Sequence, residues 1–93
     1  MITPEEFKKD VLVWAERIGV EPKEIRLRRM KREWGNCSSA GRLTFDVSVL
    51  EKPENVRLEV ILHELLHLRY PNHGTMFNTL LNLYLKKGTG EYR

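Results

Sequence analysis

The eleven residues HELLHLRYPNH, 63 to 73, hold all three histidines of the chain. On a helix, His63 and His67 lie four residues apart and project from one face, close enough for both imidazoles to bind one ion. Zinc takes imidazole nitrogen at about 2.0 to 2.1 Å and, where it does chemistry, keeps three protein ligands and an open position for water. Glu64 follows the first histidine, turned by about 100° around the axis, so it borders that position without filling it. Pro71 breaks the helix, and the reversal brings His73 back toward the face just left as the third ligand. Glu91 is the only acidic residue downstream of Glu64, which makes a glutamate ligand the weaker choice.

One Zn2+ per chain held in this way lowers the pKa of its water to about 7 and polarises a carbonyl. Glu64 then serves as general base toward that water and returns the proton to the leaving amine. That is peptide-bond hydrolysis without a covalent intermediate. The competing reading makes these ordinary histidines of a helix packed through Leu62, Leu65, Leu66 and Leu68. HExxH on an amphipathic helix is the context that zinc binding requires, and it is preferred.

The elements that must position these residues follow from capping and periodicity. Thr3, Pro4 and Glu6 have the form of an N-cap, a first-turn proline and a capping-box carboxylate. A helix is expected from there to Ile18, with Phe7, Val11, Trp14 and Ile18 on its apolar face and Gly19 as its stop. Residues 25 to 33 (IRLRRMKRE) alternate as a partly exposed strand. WGNCSSAG reads as a turn, and residues 42 to 47 (RLTFDV) form a strand that pairs back as an antiparallel hairpin. A second helix opens at Pro53 and Glu54 and carries the histidines to Arg69 or Tyr70. A third runs from His73 or Gly74 to Lys86 or Lys87, with Gly88 as its stop and GTGEYR as a mobile tail. The fold class is α+β: an N-terminal helix, a small antiparallel hairpin or sheet, the zinc helix and a C-terminal helix, in one domain over residues 1–93.

Ninety-three residues support one modest core. The hydrophobic fraction of 41% beside 31% charged residues belongs to a globular chain and excludes a disordered one. No apolar run approaches the ~20 residues that span a bilayer, and MITPEEFKKD has no secretory leader pattern. No membrane association and a cytoplasmic location are expected. A single cysteine, Cys37, rules out an internal disulfide and agrees with a reducing compartment.

RRMKREWGNCSSAGRLTFD followed by HELLHLRYPNHGTMF resembles the YgjP-like (DUF45) zinc metallopeptidases, over about residues 25 to 80. In that family a basic strand, a WGSCS-type turn and a hydrophobic strand precede a HExxH helix and a loop with the third histidine. The resemblance implies a minimal zincin-like fold, zinc on His63, His67 and His73, catalysis by Glu64, and a peptide or protein substrate. It also raises Trp34, Gly35, Thr44 and Phe45 as substrate-binding residues, with the turn or the strand at Leu43 to Val47 bordering the cleft and pairing with an extended peptide. Asn36, Asp46 and Gly74 depart from the family's usual serine, asparagine and serine. Latency or narrow specificity is the corresponding expectation.

Residues 23 to 32 hold six Lys or Arg against one Glu, whereas the rest of the chain holds ten basic and twelve acidic residues. The net charge of +3 is thus concentrated there. Arg26, Arg28, Arg29, Lys31 and Arg32 suit contact with phosphates, which supports a second reading: a zinc-dependent nucleic-acid-processing or SprT-like nucleic-acid-associated protein. The simpler reading is a solvated strand face that guards an edge. Cys37 reads as a structural turn residue, with a thiolate on zinc as the minor alternative. Tyr70, Tyr84 and Tyr92 are candidate oxyanion donors among which the sequence does not choose, and it does not fix the oligomeric state.

Overall fold

A computed structural model of the chain describes residues 1–89. Helix α1 (Pro4–Ile18) starts where a capping box closes: the Glu6 backbone N–H donates to Thr3 Oγ1 at 3.1 Å, and the Thr3 N–H donates to Glu6 Oε1 at 3.0 Å. It stops at Gly19, whose φ of 84° lets the Gly19 and Val20 N–H groups both reach Ala15 O. Both ends agree with the sequence reading.

The sheet differs from that reading in its connections. Strand β1 is Glu24–Arg28, β2 is Gly35–Cys37 and β3 is Arg42–Asp46. Their order is β1-β3-β2, with β1 parallel and β2 antiparallel to β3. The hairpin therefore exists, but between β3 and the stretch expected to be all turn. The basic strand lies on the far side of β3 and is shorter than expected, because residues 29–34 cross the end of the sheet to reach β2. The true hairpin turn lies at Ser38–Gly41, where the Gly41 N–H donates to Ser38 O and Gly41 adopts a φ of 90°.

Asp46 holds this crossover in place. Its Oδ1 accepts from the Met30 N–H at 2.7 Å, its Oδ2 accepts from the Ser48 N–H and hydroxyl, and its own N–H donates to Trp34 O. The Ser48 hydroxyl, then the Met30 amide, hold the Asp46 carboxyl below its ordinary pKa against the opposing effect of burial. Asp46→Ala removes the acceptor of three donors and is expected to cost about 1–3 kcal/mol in urea unfolding. A folded pKa below the unfolded value of ~3.9 stabilises the fold above that value, and the stabilisation is lost as pH falls from there toward the folded pKa. Asp46→Asn should accordingly be less stable at neutral pH but lose less of its remaining stability on acidification below pH ~4.

A short 3-10 helix, Val47–Glu51, leads from β3 to helix α2 (Glu54–His67). Helix α2 is central: Leu58, Val60, Ile61, Leu62, Leu65 and Leu66 are all buried. Facing them are Phe7, Val11, Ala15 and Ile18 of α1, Leu43 and Phe45 of β3, and Phe77 of helix α3 (Thr75–Thr89). Helix α2 ends two or three residues before the expected Arg69 or Tyr70. Leu68 and Arg69 close with tight bonds to Leu65 O and Leu66 O, as at many helix ends before a proline. Arg69 then donates to Gly19 O at 2.7 Å and Ile18 O at 3.5 Å, placing a cation on the carbonyl end of α1.

Helix α3 runs through Gly88 instead of stopping there. A Cβ on Gly88 would overlap the Leu58 side chain and come within 2.9 Å of the Trp14 ring, so this glycine serves close helix packing. Of the expected mobile tail, residues 88 and 89 are helical and residues 90–93, including Glu91 and Tyr92, lie outside the described residues. Among the described residues, no helix is long and apolar enough to cross a membrane.

Candidate active site

His63 and His67 project from the last two turns of α2, and His73 stands on the loop between α2 and α3. Their ring centroids lie 4.6 to 4.9 Å apart. One ligand atom from each falls within 4.8 Å of the others, and the facing His67 and His73 Nε2 atoms are 2.8 Å apart. Phe77, 1% exposed, packs against all three rings with centroids at 4.9 to 5.3 Å. This apolar floor on α3 was not anticipated, although its place four residues after His73 puts it within one turn of the ligand loop.

The two rings on α2 are each held by a partner on Nδ1. His67 Nδ1 lies 3.3 Å from Tyr70 O, so a proton on Nδ1 leaves Nε2 free as a donor to a metal. Burial, reinforced by the nearby His63, lowers the pKa of His67 and favours the neutral form that ligation needs. His63 Nδ1 lies 3.1 Å from Glu64 Oε2; that carboxylate raises the His63 pKa against the effect of burial. Three imidazoles converging on one point, two of them with their outer nitrogens tied back, fit zinc in donor type and number.

Glu64 is 6% exposed and packs under Gly35. A Cβ on Gly35 would lie 2.9 Å from Glu64 Cγ and 3.1 Å from Oε2. β2 can approach helix α2 this closely only because residue 35 has no side chain. Gly35→Ala should push the carboxylate aside and lower kcat/KM of the zinc-loaded protein by about 10- to 100-fold, since ångström-scale misplacement has such effects. A thermal melt within a few degrees of wild type would assign the loss to positioning.

Three adjoining hollows form one groove along β2 and α2. The first, about 620 Å³, is lined by Glu33, Trp34, Gly35, Val56, Glu59, Val60, His63 and Glu64. The second lies between Asn36 to Ser39 and His63, Glu64 and His67, and the third continues past His67 to Lys23, Gly41 and Arg69. Trp34 and Gly35 thus border the cleft as expected. Thr44 and Phe45 do not: β2 occupies the edge, β3 is the middle strand, and Phe45 is fully buried against Phe7 with ring centroids 4.9 Å apart. Val56, Glu59 and Val60 were missed, yet with His63 they form an i, i+3, i+4, i+7 series on α2.

Cys37 is half-buried on β2 and lines the middle hollow. Burial and then the Glu64 charge push its thiol pKa up, which disfavours a thiolate on a metal. Tyr84 packs edge-on against Trp14 at 6.4 Å, between α3 and α1, and Tyr70 contributes its carbonyl to His67. Arg26, Arg28, Arg29, Lys31 and Arg32 lie on β1 and the crossover; none lines the groove. Arg26 pairs with Glu24 at 3.5 Å.

An α+β scaffold carrying three convergent imidazoles and a buried carboxylate beside an open groove has the plan of a metallopeptidase domain. The family described as YgjP-like, metallopeptidase domain matches residues 2–89, and the chain belongs to it. It is also similar to the crystal structure of the metallopeptidase zymogen of Pyrococcus abyssi, abylysin, with a TM-score of 0.69 and 28% identity over 80% of this chain and 75% of that one. Among curated proteins, none matches the chain.

Proposed function

We propose that the chain is a zinc-dependent endopeptidase in which His63, His67 and His73 hold the metal and Glu64 is the general base and acid. The observation that carries this reading is the convergence of the three imidazoles beside Glu64 in a groove that continues past them in both directions. Zinc, when bound, supplies the Lewis acidity that polarises the scissile carbonyl and acidifies water.

The chain's own residues supply the rest. Glu64, held by Gly35 and His63, accepts the proton of the attacking water and delivers it to the amine nitrogen as the C–N bond breaks. Strand β2 has β3 on one side only among the described residues, so its other edge offers the backbone groups of Gly35–Cys37 to an extended peptide. Phe77 covers the imidazoles from the α3 side.

Incubation of the zinc-loaded chain with an unstructured polypeptide, followed by mass spectrometry of the new termini, tests the reading. Internal cuts are expected. Release of single terminal residues, or no new termini, would contradict an endopeptidase.

A further inference from the structure

We infer that the hollow beside Glu64 is a specificity pocket for a lysine or arginine side chain next to the scissile bond, an inference that rests on the peptidase reading. The walls define the occupant. Val56, Val60 and the indole of Trp34 are apolar, whereas Glu33 and Glu59 add two carboxylates to that of Glu64. No Lys or Arg lines the hollow, and among the described residues neither Glu33 nor Glu59 forms an ion pair. Glu33 accepts only a long 3.4 Å bond from the Asn36 amide.

A side chain entering this space must satisfy both surfaces. Leucine or phenylalanine would fill the apolar part and leave two carboxylates facing an apolar group. Aspartate or glutamate would be repelled. The aliphatic stem of lysine or arginine can lie along Val56, Val60 and Trp34 while its charged tip meets Glu33 and Glu59. Trp34 is 49% exposed, and one cation already uses its ring: Lys52 Nζ lies 5.1 Å from the centroid. That contact shows the indole's capacity for cations. Lys52 also weakens the field, so partly solvated carboxylates are expected to give a preference of about tenfold, well short of absolute selection.

The test uses zinc-loaded Glu64→Gln protein, which is expected to bind peptides without cutting them, and zinc-loaded wild type, which is expected to cut. Identical peptides carry arginine, its neutral isostere citrulline, leucine or glutamate at each position in turn. Binding is read from the Trp34 indole resonance, and cleavage from product masses. The arginine peptide is expected to bind and be cut about tenfold better than the citrulline peptide, with arginine next to the cut bond. Glu33→Gln combined with Glu59→Gln should erase that difference.

The outcomes separate the two readings. A preference for arginine in binding, with no cleavage of any peptide, would support the pocket and count against the peptidase. Cleavage with equal use of arginine and citrulline, or a preference that survives the double substitution, would overturn the pocket and leave the peptidase standing.

Discussion

Glu64→Gln is expected to lower peptide hydrolysis by about two to four orders of magnitude, the usual contribution of a positioned general base, while zinc stays bound. The amide is nearly isosteric with the carboxylate, so it still fits under Gly35, where there is no space for a larger group. It cannot take a proton. His63 loses a charged partner at 3.1 Å, which affects its orientation, but its ligand nitrogen remains. Parallel measurement of kcat/KM and of metal content separates the two effects. Full activity would remove Glu64 from the chemistry, and loss of zinc together with activity would make it a support for His63 rather than a base.

The second large effect is expected at His73. It is the one histidine outside α2, exposed on a loop whose carbonyl at residue 73 accepts a weak 3.5 Å bond from the Asn78 amide. His73→Ala removes an exposed ring that meets the core through Phe77 and should preserve the circular dichroism spectrum. It removes the nitrogen that faces His67 Nε2 at 2.8 Å. Even indirect partners of ligands change metal affinity by 10- to 100-fold, so a direct ligand should change it by more than ~100-fold. Competition with a chromophoric chelator measures this. Unchanged affinity would require another third ligand, and Cys37 on the same groove would be the residue to substitute next.

Helix α1 was legible because both its signals are local: a capping box spans four residues, and Gly19 needs only its own φ. The β-sheet was not. Alternation reports which face of a strand is buried but not which neighbour it pairs with, so β1 was given an antiparallel place beside β3 that β2 occupies. Nothing in the Gly-Asn-Cys sequence favours a strand; β2 is extended because it pairs with Leu43 to Phe45 of β3. The same blindness to pairing put Thr44 and Phe45 at the cleft. His63, Glu64, His67 and His73 were legible as a group because three lie within five residues of one helix and the fourth follows its break. Phe77 on α3 and Glu33 on the crossover meet the site only through tertiary packing, whereas Val56 and Val60 share the helical face of His63 and could have been read from that spacing.

The most direct test of the metal-dependent peptidase is a cycle of removal and return. Peptide hydrolysis would be followed in zinc-loaded protein, after chelation and dialysis, and after addition of one equivalent of zinc. Hydrolysis that disappears with the metal, returns with it, and saturates at one zinc per chain is the predicted result. Hydrolysis that persists in metal-free, folded protein, or that never appears in protein shown to hold one zinc, would contradict it.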